Sequence, residues 1–128
     1  MTEKEKKREK TIILDQKELM YSLYSKQSGM LPQPFLECIE GPDQGRSFIL
    51  TADKQLIGRG KNCHIQLTCP RASAKHALVF FQGESFMIED LNSSNGTYVN
   101  DRRVTLMPLA NNDLIRIGYC ILKVKLSQ

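Results

Sequence analysis

The sequence has no tryptophan, and its aromatic residues are four tyrosines and five phenylalanines in 128 residues. Proteins that bind single-stranded nucleic acid stack bases on aromatics interleaved with basic side chains, and neither such a platform nor a basic helix is visible here. Long hydrophobic runs are also missing. The longest, such as Ala77 to Phe81, fall far below the roughly 18 residues of a membrane-spanning helix. No apolar segment follows the basic start in the way a signal peptide requires, so the expected address is the cytoplasm. The cysteines, Cys38, Cys63, Cys69 and Cys120, lack paired spacing and read as small hydrophobes without disulfides. A zinc set drawn from Cys63, His64, Cys69 and His76 fits no common finger spacing. No metal and no cofactor is expected.

Convergent catalytic chemistry is equally hard to find. The acidic residues are dispersed, no Cys-His or Ser-His-Asp order presents itself, and no glycine-rich phosphate loop ends in lysine. Carboxylates are absent altogether from residues 54 to 83, a stretch that carries Lys54, Arg59, Lys61, Arg71 and Lys75. The net charge of +4 is modest, but this local run creates an anion-attracting field.

What is present is enough for one domain and too little for two: 41% of residues are hydrophobic and 25% charged, a composition that can bury a core. Residues 1–14 open with an almost wholly charged run, Glu3 to Lys10. Such a run cannot offset the entropy of ordering, which predicts a mobile, solvated tail. Asp15 followed by Glu18 forms a capping box, with Leu14 placed to staple onto Leu19. Leu19, Met20, Leu23 and Tyr24 then form an apolar stripe at helical spacing. Residues 15–33 are therefore a short helix ending near Gly29, and a linker.

From Pro34 to the end, at residue 128, the texture changes to short β-branched and aromatic runs separated by turn residues. Strands are expected over Phe35 to Glu40, Arg46 to Leu50, Gln55 to Gly58, Cys63 to Leu67, His76 to Gln82, Ser85 to Leu91, Thr97 to Asn100, near Val104, Leu114 to Gly118, and from Tyr119 onward. Ten or so strands without intervening helices predict an antiparallel β-sandwich. The last is clearest, since Leu122, Val124 and Leu126 alternate with Lys123, Lys125 and Ser127 at the strand period of two.

Three loop motifs carry chemistry. In Gly58-Arg59, the glycine permits a tight turn and the guanidinium offers a fork of donors suited to phosphate oxygens. In Ser73-Ala74-Lys75-His76, a hydroxyl can donate to phosphate while the imidazole braces backbone groups. In Ser94-Asn95-Gly96-Thr97, Asn-Gly suits a tight hairpin, and the exposed amide can hold a ligand's main chain.

The order and spacing of these motifs, with Val99-Asn100 after them, resemble the forkhead-associated (FHA) domain family over about Phe35 to Leu126. The resemblance implies an FHA-type β-sandwich of ten to eleven strands behind a short N-terminal helix. It also implies phosphothreonine recognition in an extended peptide, with added selectivity at the third residue after it. Carried over by motif position, Arg59 and Ser73 hold the phosphate, Ser94 and Asn95 contact the phosphothreonine region and the peptide main chain, and Gly58, His76 and Gly96 are architectural. Two positions depart from the family. A residue that is often basic is here Ala74, for which Lys61 or Lys75 would compensate, and a position that is often acidic is here His64.

The expected function is a monomeric, non-catalytic adaptor acting downstream of a Ser/Thr kinase. One alternative keeps the fold as a phosphate-independent assembly piece of a larger complex, and a remoter one is nucleic-acid binding. Thr11, with Leu14 three residues on, is a candidate phosphorylation site that the same pocket could bind.

Overall fold

Alternation of buried and exposed side chains organises the chain after residue 34. In the computed structural model, which describes residues 15–128, eleven strands follow one helix: α1 (Gln16–Gln27), β1 (Phe35–Glu40), β2 (Ser47–Ile49), β3 (Gln55–Gly58), β4 (Ile65–Gln66), β5 (Ala77–Gln82), β6 (Ser85–Asp90), β7 (Thr97–Val99), β8 (Arg102–Val104), β9 (Leu106–Pro108), β10 (Leu114–Ile117) and β11 (Cys120–Lys125). The charged tail, Thr11 and Leu14 lie outside the described residues.

One sheet has the order β2-β1-β11-β10-β7-β8 and the other β4-β3-β5-β6-β9. Their inner faces supply a single core in which Leu36, Ile57, Val79, Ile88, Ile115, Ile117 and Leu122 are fully buried. The expected alternation of β11 is present, with Cys120, Leu122 and Val124 inward. Pro108, which can donate no ladder hydrogen bond, lies in the edge strand β9, where its missing N–H does least damage.

The pairing is antiparallel with one exception. β3 and β4 run parallel through Ile57↔Ile65 and Gly58↔Gln66. Parallel neighbours ordinarily need a crossover of a dozen or more residues. Here β4 is only two residues long, and the loop doubles back with Gln66 Nε2 on the Arg59 carbonyl at 3.2 Å. This pair seats the Arg59 loop at the sheet edge.

The Asp15 cap forms as expected, its carboxylate accepting from the Glu18 N–H at 2.6 Å. The docking face of α1 differs from the expected stripe. Tyr21 packs edge-on against Phe81 and Phe86, with centroids 4.9 and 5.9 Å apart, and Tyr24 lies 5.4 Å from Phe81. Leu19, Met20 and Leu23 remain 46, 48 and 45% exposed. The apolar residues of the helix, Leu19, Met20, Tyr21, Leu23 and Tyr24, form an arc wider than one docking face. The edge-to-face geometry open to the tyrosines decides it.

All four cysteines are free. Burial pushes the Cys38 thiol up and that of Cys120 to about 12, so both behave as inert core residues at neutral pH.

Candidate functional site

The loops after β3, before β5 and between β6 and β7 meet at one end of the sandwich because backbone hydrogen bonds stitch them together. The Arg59 N–H donates to the Ser73 carbonyl at 3.0 Å, Gly60 to Ala74 at 3.1 Å, His76 to Ile57 at 2.8 Å and Leu91 to His76 at 2.9 Å. Gly58 permits this approach: a Cβ there would lie 2.4 Å from the Ala74 carbonyl oxygen and 2.8 Å from that of Ser73. No L side chain fits without moving backbone.

His76 is fully buried. Its Nδ1 accepts the Ser73 N–H at 3.0 Å, and its Nε2 lies 2.9 Å from the Gly96 carbonyl. One acceptor and one donor define the neutral imidazole with the proton on Nε2. The ring thus clasps two of the loops across the core, and both nitrogens are engaged.

Arg59 is exposed, and its Nε donates to the Ala72 carbonyl at 3.1 Å, which fixes the guanidinium while its Nη groups have no hydrogen-bond partner among the described residues. Ser73 Oγ accepts the Ser94 N–H at 3.1 Å, so its own O–H remains a donor. Asn95 Nδ2 donates to the Arg71 carbonyl at 2.8 Å, leaving the amide oxygen as an acceptor. Lys61 and Lys75 stand exposed on the same loops. Among the described residues the ion pairs are Arg46–Asp43 at 2.8 Å and Lys17–Asp53 at 3.5 Å. The cations of the site loops therefore face no neutralising carboxylate within ion-pair distance.

The Asn95-Gly96 turn is not the hairpin that the dipeptide suggests. β6 and β7 belong to opposite sheets, so their connection crosses the sandwich, and of the two residues only Gly96 has a positive φ, +86°. A two-residue hairpin lies five residues later: Asn100 and Asp101, at φ +50° and +68°, join Val99 to its partner Arg102. Positive φ at both central residues is the I′ pattern.

Asp90 shapes the crossing loop, a role that motif reading did not give it. Its carboxylate accepts from Ser93 Oγ at 2.6 Å, the Ser93 N–H at 3.2 Å and Thr97 Oγ1 at 2.7 Å, while Ser93 Oγ accepts the Gly96 N–H at 3.0 Å. Burial opposes the charge, but the hydrogen bonds from Ser93 and Thr97 outweigh it and hold the carboxyl below its ordinary 3.8. The Asp90-x-x-Ser93 spacing, an Asx-type turn signal, was the available clue. His64 now has a physical role as well. Its Nδ1 accepts the Leu56 N–H at 2.9 Å, a task that needs an acceptor at this position, which a carboxylate would also provide.

A cleft of about 700 Å³ adjoins the loops, lined by residues including Arg71, Asn95, Tyr98, Arg116 and Tyr119. Sequence reading singled out only Asn95 as a site residue there. Arg71 comes from the loop before β5, and Tyr98, Arg116 and Tyr119 come from β7, β10 and the β10–β11 turn, which only the fold brings alongside.

The FHA domain model matches residues 56–118. The chain is 34% identical over 82 residues to the FHA domain-containing protein FhaA of Mycobacterium tuberculosis, covering 64% of this chain and 16% of FhaA. It is 37% identical over 78 residues to the glycogen accumulation regulator GarA of Mycolicibacterium smegmatis, covering 61% of this chain and 49% of GarA. It therefore spans less than half the length of either relative. A structure solved in work on phosphothreonine-dependent FHA domain interactions superposes with a TM-score of 0.69 at 31% identity, covering 75% of this chain and 98% of that one. The chain belongs to the FHA domain family.

Proposed function

We propose that this domain is a binding module, with no catalytic role, that captures phosphothreonine on a partner protein. The observation that carries the reading is the Arg59 guanidinium, anchored through Nε on the Ala72 carbonyl, beside a Ser73 hydroxyl whose acceptor side is already taken by Ser94. Both then present donors to one dianionic group. A phosphothreonine brings about two negative charges and three acceptor oxygens, which such donors match by charge-assisted hydrogen bonds. Ser94 and Asn95 hold the phosphothreonine region and the peptide main chain, and Lys61 and Lys75 add long-range attraction where Ala74 offers no charge. Gly58, His76 and Gly96 keep the loops in place.

In this reading residues 34–128 are the recognition domain, residues 15–33 a docked helix and linker, and residues 1–14 a tail. The module works as a cytoplasmic monomer downstream of a Ser/Thr kinase. No helix among the described residues is long and apolar enough to cross a membrane. Phosphorylated Thr11 is a ligand the same pocket would bind, in which case full-length phosphoprotein binds an external phosphopeptide more weakly than the unmodified form.

Ala74 favours a second reading, a phosphate-independent assembly piece. Titration with matched phosphorylated and unphosphorylated peptides separates the two. Salt dependence separates both from nucleic-acid binding, whose affinity falls as a steep power of salt.

A further inference from the structure

Asn95 is the one asparagine of six in the chain that is followed by glycine. A glycine has no side chain to obstruct attack by its own nitrogen, which makes this step the most open to deamidation. In that reaction the Gly96 nitrogen gives its proton to a solvent base and bonds to Cγ of Asn95, and the side-chain amide nitrogen leaves as ammonia. Water then opens the succinimide at either carbonyl, giving aspartate or its β-linked isomer. Gly96 sits at φ +86°, a conformation that L side chains rarely adopt, so the turn keeps its glycine and with it the hazard.

The loop withholds each atom that the reaction needs. The attacking N–H of Gly96 is buried and donates to Ser93 Oγ at 3.0 Å. That hydroxyl donates in turn to the Asp90 carboxylate at 2.6 Å, which also accepts the Ser93 N–H at 3.2 Å. A nitrogen stripped of its proton here would face an oxygen lone pair and a nearby negative charge, both of which disfavour the anion. Asp90 is also a poor base for that proton, because its hydrogen bonds hold it below its ordinary 3.8. On the other side of the bond to be formed, Asn95 Nδ2 is tied to the Arg71 carbonyl at 2.8 Å, and the Gly96 carbonyl lies 2.9 Å from His76 Nε2. Asn95 itself is exposed, so water and base reach it once these ties open.

We infer that Asn95 is a site of spontaneous deamidation kept intact by Ser93, and that its conversion silences phosphothreonine binding. The first part stands on the loop geometry alone. The second rests on the phosphothreonine reading above, which assigns Asn95 to the peptide main chain. Aspartate there replaces the Nδ2 donor that holds the Arg71 carbonyl by a carboxylate, next to a site built for a dianion.

The test follows Asn95 in the full chain by peptide mapping and mass spectrometry at neutral pH. Native wild type is expected to convert at least about tenfold more slowly than the same chain unfolded in guanidinium chloride, since the reaction waits on local opening. Ser93→Ala should raise the native rate by roughly 5- to 150-fold, the factor for one lost hydrogen bond to a buried group. Tyr21→Ala, which acts at Phe81 and Phe86 beside the β5–β6 hairpin turn, should leave that rate unchanged. Ser93→Cys keeps the shape of serine with a weaker acceptor; it should raise the rate too, and it decides the matter if Ser93→Ala does not fold. Equal native and unfolded rates in wild type overturn the inference, as does a rate in the Ser93 variants no higher than in Tyr21→Ala. Converted protein should bind a phosphothreonine peptide at least about tenfold more weakly than fresh wild type, and unchanged binding overturns the second part. Fresh wild type that ignores the phosphate overturns the reading beneath that part, while the rates at Asn95 still decide the first.

Discussion

The backbone N–H of Ser94 donates to Ser73 Oγ at 3.1 Å, across 21 residues of sequence. One hydroxyl thereby joins the two recognition loops and still has a proton to give. Structure and recognition meet in a single oxygen, and this shapes what its removal does.

Ser73→Ala should weaken phosphopeptide binding by about 1–3 kcal/mol, roughly 5- to 150-fold. The freed Ser94 N–H is exposed and can turn to water, so the melting temperature should change little. Isothermal titration paired with thermal unfolding distinguishes this from a general loss of folding.

His76 should behave in the opposite way. Replacement by Phe fills the space but strands the Ser73 N–H and the Gly96 carbonyl, the two groups its ring now serves. Each buried unsatisfied group costs about 1–3 kcal/mol, so denaturant unfolding should show a loss of roughly 2–6 kcal/mol. Binding should fall with it, because the loops are no longer clasped.

Acid stability should depend on Asp43 and Asp90. Burial opposes the charge of Asp43, but hydrogen bonds from Thr68 and Arg46 outweigh it, and its carboxyl, like that of Asp90, lies below its ordinary 3.8. A depressed carboxyl contributes stability that is complete above the unfolded-state value and is lost as pH falls through the folded-state value. Melting temperatures measured from neutral pH downward should stay level and then decline below about pH 4. Asp90→Asn should start lower and show a shallower decline.

The docked helix predicts a contrast between neighbouring side chains. Tyr21→Ala removes the ring that covers Phe81 and Phe86 and should cost about 1–3 kcal/mol. Leu23→Ala, on a side chain 45% exposed, should stay within about 0.5 kcal/mol. Chemical denaturation of the two variants measures both.

Local features are legible in the sequence. The alternation of β11, the Asp15 cap and the strands around each motif follow from period, capping chemistry and turn residues acting within a few positions. The relationships that needed the fold were not legible. Asn95-Gly96 reads as a hairpin until the flanking strands are found in different sheets, and Asn100-Asp101 then takes that role. Helical period puts Leu23 in the apolar stripe and leaves Tyr21 out, whereas the aromatic surface of Phe81 and Phe86 takes Tyr21 instead. Arg116 and Tyr98 are 18 residues apart in sequence and become one stacked pair only through the β7–β10 ladder. Motif order could suggest a phosphate site, yet the cleft beside it also draws on Arg116 and Tyr119, from a strand and a turn that carry no motif.

The most direct test of the central claim is the binding of a degenerate phosphothreonine peptide library, beside its unphosphorylated counterpart, to wild type and Arg59→Ala. Removing one partner of a hydrogen-bonded charge pair costs about 2–5 kcal/mol, so phosphate-dependent binding by wild type should weaken roughly 30-fold to several thousandfold in the variant. Binding that ignores the phosphate, or that survives in Arg59→Ala, would contradict it.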